Sequence, residues 1–401
     1  MSRYLSPTGS PILTRELLAW FGSVLSGTDH SDTVKSKIAE DLQLPHGLLY
    51  NTGRAAMASL LTSVKQLRSS DDDRDEIIVP AYTCYSVASS AMNAGLKIRL
   101  CDIDPVTLSY DWDSLSRLNT DRVLAMVSAN LYGLPNDLPA LERFAQAHDI
   151  HLIDDAAQAL YARVGGRLAG TFGLAGILSF DKGKNVTSLQ GGMVVTGNPE
   201  LYGYLDLQQQ KLSSLGFMGN LKEFLKVIVY YAFLHPVMYQ IPANVSFSGL
   251  GETRFEDQVA VHGYPAMLSS LVKAQLERAE SITAARATGG RDYDQALQPT
   301  SLLGRIEPVE TAEPVYLRYP VLVRDAQCRA HLLESCRHLG VSASYPKALS
   351  QLVEIRHSLV GEPTCPGAEA VAAQVVTLPT HAYVRSRDRA DIIKCLQEIC
   401  H

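Results

Sequence analysis

The chain has 401 residues, of which 46% are hydrophobic and 19% are charged, and its formal net charge is -6. This composition is typical of a folded protein with room for two lobes, and the lack of a basic block argues against nucleic-acid binding. Seven cysteines are scattered without C-x-x-C spacing, which indicates reduced thiols and no structural zinc or other metal site.

The amino terminus lacks the long apolar run of a secretory signal. The most apolar stretch, residues 227–234, is shorter than the roughly 20 residues that span a bilayer. We therefore expect a cytoplasmic protein.

The first half of the chain alternates strand-like and helix-like segments. After an arm with one amphipathic helix at 12–24, we predict helices at 54–65, 86–94 and 138–148, and strands at 76–80, 97–104, 123–130, 150–154, 174–180 and 193–195. This alternation predicts an α/β fold with a mostly parallel sheet between helices.

The pattern changes after residue 200. Residues 201–263 read as a less regular, apolar insertion. A long helix at 267–286, strands at 315–323 and 340–345, and helices at 325–339 and 388–399 follow, and they predict a smaller α+β domain. We place a large domain at 1–285 and a small C-terminal domain at 286–401.

Two of the predicted strands end in residues that can carry chemistry. Asp154 and Asp155 end one strand, and Lys182 and Lys184 follow another. Ligands of open α/β sheets bind beyond the carboxyl ends of strands. A lysine can form a Schiff base there, and a carboxylate can keep a pyridine nitrogen protonated. Side chains alternate along a strand, so one carboxylate should face such a ring, whereas chemistry alone does not choose between the lysines.

Other polar residues near these strands can complete a ligand site. Gln158 can hydrogen-bond a ring hydroxyl, and Ser179 can donate to a phosphate. Thr52-Gly53-Arg54 opens a predicted helix, where free backbone N–H groups can cradle an anion. An ordinary N-cap explains the same three residues and is the commoner use of such a sequence.

These residues together resemble a known signature. The segments IDDAAQAL, GTFG and SFDKGKN and the following Gly-Gly pair resemble the DegT/DnrJ/EryC1/StrS family of sugar aminotransferases, which are fold-type-I enzymes dependent on pyridoxal 5'-phosphate (PLP). Similarity continues from about residue 48 to the carboxyl terminus, through TGRAA, DEIIVPAYT, LCDIDPVTLSYD and TCPGAEAVAAQVVTLPTH.

The resemblance implies a homodimer that transfers an amino group from glutamate to a nucleotide-linked keto sugar. It assigns the PLP-bearing lysine to Lys184 rather than Lys182, and the ring-nitrogen partner to Asp155. It also places Gln158 at the ring hydroxyl, and Ser179 with Thr52, Gly53 and Arg54 at the phosphate. Tyr345, in the small domain, is a candidate for substrate contact.

Several positions depart from the family pattern. Arg54 replaces the usual threonine, and Cys84 replaces the aromatic residue that stacks on the ring, so Tyr82 or Tyr85 is expected to take that place. The Asn-x-Arg motif that reaches the partner's phosphate is not recognisable at 261–265, and Arg54 is a candidate replacement. The presence of Lys184 disfavours the dehydratase branch of the family, which lacks this lysine.

The apolar segment 224–241 has no counterpart in the resemblance. We expect it to be buried in the core or a dimer interface. The alternative is a surface that touches a membrane or a lipid-linked substrate, since Lys222 and Lys226 flank it. Two other functions stay open: a PLP enzyme acting on a non-sugar ketone or lipid-linked substrate, and a non-catalytic PLP-binding regulatory protein.

Overall fold

The structure is a computed structural model that describes residues 3–69, 72–244 and 255–400. Its largest sheet has seven strands in the order β1-β9-β8-β5-β4-β2-β3. The strands are β1 (His46–Tyr50), β2 (Glu76–Pro80), β3 (Lys97–Cys101), β4 (Val123–Ala129), β5 (His151–Asp155), β8 (Ala175–Ser179) and β9 (Gly192–Thr196). All run in one direction except β9, which is antiparallel to both its neighbours.

Helices lie on both faces of this sheet and beside it. They are α1 (Thr14–Ser26), α2 (Ser31–Leu42), α3 (Gly53–Val64), α4 (Tyr85–Asn93), α5 (Trp112–Ser116), α6 (Leu138–Ala147), α7 (Pro199–Gln209), α8 (Phe217–Phe233), α9 (Gln240–Asn244) and α10 (Ser269–Leu276). In β2, Ile77 belongs to the core layer that contains α3 and α4, whereas Ile78 belongs to the layer under α6. This alternation is the reason why β2 is buried at every position.

A smaller antiparallel sheet follows in the order β10-β12-β14-β13. Its strands are β10 (Leu303–Arg305), β12 (Arg318–Val323), β13 (Ser342–Ala343) and β14 (Val375–Pro379), and its helices are α11 (Ala279–Ala296), α12 (Ala326–Ser335), α13 (Pro366–Gln374) and α14 (Ser386–Ile399). Three two-residue strands, β6 (Arg163–Val164), β7 (Arg167–Leu168) and β11 (Ala312–Glu313), form a third sheet.

The α/β fold with a mostly parallel sheet is confirmed, as is the position of most elements. The expected single helix in the first 45 residues is wrong, because α2 follows α1 there. The strand expected at 340–345 is reduced to Ser342–Ala343, and that expected at 315–323 begins at Arg318. The strand β1 was not predicted, since its sequence, HGLLY, is too short to show alternation.

The long helix expected at 267–286 is two helices, α10 and α11. Arg278 leaves the helical conformation between them, with φ of -124° and ψ of 16°. Its guanidinium forms an ion pair with Glu16 and donates to the carbonyl of Pro11 at 2.6 Å. A contact distant in sequence therefore breaks a pattern that is continuous locally.

The boundary placed between residues 285 and 286 falls inside α11, so the two parts of the chain share a helix.

The expectation that all cysteines are reduced is wrong for one pair: Cys336, beyond α12, and Cys395, on α14, form a disulfide. These cysteines lie 59 positions apart, and only packing of their helices brings them together.

Within the described ranges, none of the helices has the length and apolarity that crossing a membrane would require.

Candidate active site

The carboxyl ends of the parallel strands open into a cavity of about 390 Å³. Most of the residues singled out in the sequence lie on its wall: Thr52, Gly53, Arg54, Cys84, Asp155, Gln158, Ser179 and Lys184. They come from four separate segments of the chain, which meet because each segment lies at the carboxyl end of one of four parallel strands, β1, β2, β5 and β8, at the same edge of the sheet. The volume is within the range of small-molecule sites.

The two adjacent carboxylates face opposite ways. Asp154 points away from the cavity and is completely buried, and it accepts hydrogen bonds from Asn130 Nδ2 (2.7 Å) and from the backbone N–H groups of Gly170 (2.6 Å) and Phe172 (3.3 Å). Burial raises the pKa of Asp154 to about 7, while these three donors oppose the rise. Asp154 is thus a structural residue that ties β5 to the loop before β8.

Asp155 is the carboxylate that reaches the cavity. Its Oδ1 accepts one hydrogen bond, from the backbone N–H of Ala157 at 3.0 Å. Burial raises the pKa of Asp155, and the Ala157 N–H and the charge of Lys184 oppose that rise. A carboxylate with so few protein partners is available to a cationic group in the cavity.

The two lysines also separate. Lys184 lies on the cavity wall, whereas Lys182 is exposed and does not line the cavity. Asp181, which directly precedes Lys182, faces the cavity as well, and burial raises the pKa of its carboxyl although Lys184, Lys182 and Arg54 all lower it. Asp181 was not predicted as a site residue, and its only signal in the sequence is its place between Ser179 and Lys184.

The amino terminus of α3 forms one end of the cavity. Thr52 caps the helix, since its Oγ1 accepts from the backbone N–H of Ala55 at 3.0 Å, so the N-cap interpretation is confirmed. A Cβ on Gly53 would lie 3.1 Å from Ser179 Oγ and 3.2 Å from its Cβ. The absence of that Cβ leaves the helix dipole, free N–H groups and a serine hydroxyl directed at the same space, which suits an anion.

The Gly191-Gly192 pair, at the start of β9, completes this close approach. A Cβ on Gly192 would lie 2.4 Å from Gly53 Cα, and Gly191 has a φ of +124°. Both positions therefore require glycine, one for lack of space and the other for its backbone conformation.

Arg54 and a segment distant in sequence close the same end. The guanidinium of Arg54 forms an ion pair with Glu256 at the cavity wall. We call residues 255–263 the strap; it is held by Asn51, whose Nδ2 donates to the Ala260 carbonyl at 3.0 Å and whose Oδ1 accepts from His262 N–H at 3.0 Å. The strap was not identified in the sequence, which has no pattern linking it to Asn51.

Cys84, Tyr82 and Tyr85 are the candidates for contact with the cofactor ring, and they lie in different places. Cys84 lines the cavity, but Tyr82 and Tyr85 do not. Tyr82 is 1% exposed and its hydroxyl contacts Tyr132 Oη at 3.1 Å, while the Tyr85 hydroxyl donates to the Lys347 carbonyl at 3.1 Å. Both tyrosines are buried and neither lies on the cavity wall, so the residue that contacts the cofactor ring stays a prediction.

Tyr345 connects the small sheet to the site through Gln158. Gln158 Nε2 donates to Tyr345 Oη at 3.1 Å, and Gln158 Oε1 accepts from the backbone N–H of Tyr132 at 2.9 Å. Tyr132 has a φ of 58°, which is uncommon for a residue with a side chain. Gln158 is thus fixed from both sides, with Tyr345 behind it rather than on the cavity wall.

Known proteins share both the sequence and the fold. The model of the DegT/DnrJ/EryC1/StrS aminotransferase family matches residues 21–229 and 248–397. A UDP-N-acetyl-3-dehydro-alpha-D-glucosamine 3-aminotransferase of Acidithiobacillus ferrooxidans is 29% identical over 240 residues, which are 57% of this chain and 64% of that protein. Matched segments span between 30% and 64% of the length of eight curated relatives.

Two solved structures resemble the whole chain. Helicobacter pylori PseC, an aminotransferase involved in pseudaminic acid biosynthesis, has a TM-score of 0.79 at 19% identity, with 99% of each chain covered. Escherichia coli GDP-4-keto-6-deoxy-D-mannose-3-dehydratase with bound hydrated PLP has a TM-score of 0.78 at 18% identity, with 100% of each chain covered. At these identities the structural likeness concerns the fold, whereas the family model covers most of the sequence: this chain belongs to the DegT/DnrJ/EryC1/StrS aminotransferase family.

Proposed function

We propose that this protein is a PLP-dependent aminotransferase that converts a nucleotide-linked keto sugar to an amino sugar, with glutamate as donor, in polysaccharide or natural-product biosynthesis. The observation that carries the proposal is the meeting of Asp155, Ser179, Lys184 and the α3 amino terminus in one cavity. The Acidithiobacillus relative and PseC, both named aminotransferases, support the reaction class.

The residues present fit the cofactor. Its phosphate would lie against Gly53, Ser179 and Arg54, where the missing Cβ of Gly53 leaves room beside a hydroxyl and a guanidinium. Its ring nitrogen would face Asp155 and its ring hydroxyl Gln158, and its carbonyl would meet Lys184. Cys84, which lines the cavity, is the proposed contact to the ring face. Tyr345 is proposed to act on substrate through Gln158.

When bound, PLP supplies an electron sink for the carbon that loses or gains the amino group. Asp155 would keep the ring nitrogen protonated, which it can do because it has only one hydrogen-bond donor from the protein. Lys184 Nζ would take the proton from the carbon that carries the donor's amino group and return a proton to the sugar carbon. Arg54 and the α3 amino terminus would hold the phosphate and fix the orientation of both groups.

The test is spectroscopic. Purified protein with PLP should show a visible band that glutamate removes, and borohydride should fix the cofactor covalently on Lys184, as located by mass spectrometry. Lys184→Ala should lose both the covalent attachment and the response to glutamate. A wild-type protein that binds no PLP would refute the proposal, and one that binds PLP without any response to amino donors would favour the regulatory alternative.

Alternatives with the same cofactor differ in reaction or in substrate. A dehydratase is disfavoured by Lys184, although two curated relatives and one solved neighbour are named dehydratases. A non-sugar ketone or a lipid-linked ketone would use the same residues. A screen of nucleotide keto sugars, free ketones and amino acids as acceptors separates these alternatives, and no product from any nucleotide keto sugar would exclude the first proposal.

We also propose a cytoplasmic homodimer with the active site at the subunit interface. The fold type supports the dimer. Residues 261–265 lack the Asn-x-Arg motif that reaches the partner's cofactor phosphate in the family, so Arg54 is proposed to contact the phosphate instead. Light scattering of the purified protein tests the dimer, and a monomeric mass with full activity would contradict it.

The apolar segment 224–241 supports a further proposal, peripheral contact with an anionic membrane. On α8 only Glu223 and Val227 are buried, so a core position is wrong for most of this helix, while burial in a dimer interface stays a prediction. Phe217, Met218, Leu225 and Val229 are exposed. Lys222 and Lys226 lie beside them, and the buried Glu223 forms an ion pair with Lys226 at 2.7 Å, so the exposed face is apolar with Lys222 as its cationic group.

Sedimentation with vesicles tests this contact. The wild type should sediment with phosphatidylglycerol vesicles and not with phosphatidylcholine vesicles. The pair Leu225→Gln and Val229→Gln should abolish sedimentation, while Leu207→Gln, an exposed leucine on α7, should not change it. No sedimentation of the wild type would exclude the contact.

A further inference from the structure

The amino-terminal arm, residues 3–12, connects parts of the chain that are far apart in sequence. The backbone N–H of Tyr4 donates to the Pro236 carbonyl and that of Leu5 to the His338 carbonyl, each at 2.9 Å. His381 Nε2 contacts the Ser6 carbonyl at 2.9 Å. The arm is therefore ordered by the insertion on one side and by the small sheet on the other.

Further along, the arm binds the loop that carries Lys184. Thr8 Oγ1 donates to the Gly183 carbonyl at 2.8 Å. Ser10 Oγ lies 2.6 Å from the Lys184 carbonyl oxygen and 2.9 Å from that of Asn185, and these two acceptors share its single hydroxyl proton. Two side chains of the arm thus hold three successive carbonyls, and Ser10 is 1% exposed, so water does not replace them.

Ser10 is itself held by a buried arginine. Arg286, on α11, is 1% exposed, and its Nη2 donates to Ser10 Oγ at 3.1 Å and to the Gly9 carbonyl at 2.8 Å. A cationic donor on Oγ strengthens the hydrogen bonds that the hydroxyl donates onward, because neighbouring hydrogen bonds polarise one another.

The other side of Arg286 contacts the small sheet. Its Nη1 donates to the Leu317 carbonyl at 2.9 Å and to Thr380 Oγ1 at 3.3 Å. All four acceptors of this guanidinium are neutral oxygens, and burial lowers its pKa to about 10. A charge that is buried without a carboxylate at its side is costly, so its hydrogen bonds to the arm and the sheet must be kept.

We propose that Ser10 and Arg286 are positioning residues for the reaction, which fix the backbone of Lys184 relative to the small sheet. The path runs from the ends of β12 and β14 through Arg286 to Ser10, and from there to the carbonyl of Lys184. The role of Lys184 in this inference rests on the proposed function. The ordering of its loop by Ser10 does not.

Hydrogen exchange tests the ordering without any ligand. In the full chain, Ser10→Ala should speed exchange at residues 183–187 about tenfold, because the change leaves two buried carbonyls and an arginine N–H without their partner. Ser10→Thr, which keeps the hydroxyl, should restore slow exchange. Ser26→Ala is the control, since that hydroxyl bonds only within the exposed end of α1 and to Thr28. Unchanged exchange in Ser10→Ala would overturn the inference.

A double-variant cycle with PLP then tests the effect on Lys184. Ser10→Ala should weaken PLP binding about tenfold when Lys184 is present, and less than about twofold in the Lys184→Ala background, since the effect must pass through that side chain. An equal loss in both backgrounds would show a merely structural role and overturn the proposal. Failure of the wild type to bind PLP would refute the proposed function instead, and hydrogen exchange would still decide the ordering.

Discussion

The opposite roles of Asp154 and Asp155 lead to a prediction that separates stability from activity. Changing Asp154 to asparagine keeps its size but replaces one acceptor oxygen by a donor. Its oxygens now accept from Asn130 Nδ2 and from two backbone N–H groups. Asn130 cannot rotate to compensate, because its Nδ2 also donates to the Asp155 carbonyl and its Oδ1 accepts from Asn136 N–H, both at 2.9 Å.

At least one buried donor is then left without an acceptor in Asp154→Asn. We expect the free energy of unfolding to fall by about 1–3 kcal/mol, the usual cost of such a group. PLP binding and the glutamate half-reaction should stay near wild type, because the side chain points away from the cavity. The measurement is urea unfolding at pH 8, above the pKa of about 7, so that Asp154 is ionised in the reference protein.

Asp155→Asn should give the reverse result. The amide oxygen can still accept from Ala157 N–H, so stability should change by less than about 1 kcal/mol, whereas loss of the negative charge should slow the half-reaction at least about a hundredfold. The reasoning fails if Asp154→Asn abolishes the half-reaction at full stability, or if Asp155→Asn leaves it unchanged.

Three further outcomes are expected. Gly53→Ala should weaken phosphate binding about tenfold by displacing Ser179, as measured by PLP titration, and a normal affinity would mean that the phosphate lies elsewhere. Arg54→Met should weaken PLP by about tenfold to a hundredfold and the phosphate-free pyridoxal much less; equal losses for both ligands would remove Arg54 from the phosphate site. Burial lowers the pKa of His381 to about 4, below its unfolded value of about 6.5, so the unfolded state binds more protons in between and stability should fall as pH drops from about 6.5 to 4. His381→Gln should flatten this fall in urea midpoints without removing it, since the pKa of His151 is also lowered to about 4, and an unchanged pH profile would contradict the assignment.

Sequence reasoning predicted that residues at the ends of neighbouring strands lie close together. Asp155, Ser179 and Lys184 are brought together by β5 and β8, which are consecutive long strands that pair in parallel. The period of two along β5 also predicted that only one of its two terminal carboxylates would face the cavity. Local periodicity and the rules of parallel sheets were sufficient for this part of the site.

Contacts at long range were beyond such reasoning. The break at Arg278 depends on Glu16, the ion pair of Arg54 on Glu256, and the burial of Tyr82 on packing against Tyr132. In each case a residue's local sequence favours one conformation or partner, and a group more than 45 positions away changes it. Propensity and pattern carry no information about such partners.

The amino-acid sequence by itself determined the alternation of strands and helices, the order of the motifs and the residue types that can carry the chemistry, because these depend on spacing along the chain. The tertiary structure alone decided that Tyr82 is buried and that Glu256 of the strap pairs with Arg54. It also decided that Arg286 donates to Ser10 Oγ, which in turn contacts the Lys184 carbonyl. The physical reason is that a buried polar group must find its hydrogen-bond partner wherever the packed chain supplies one, irrespective of distance in sequence.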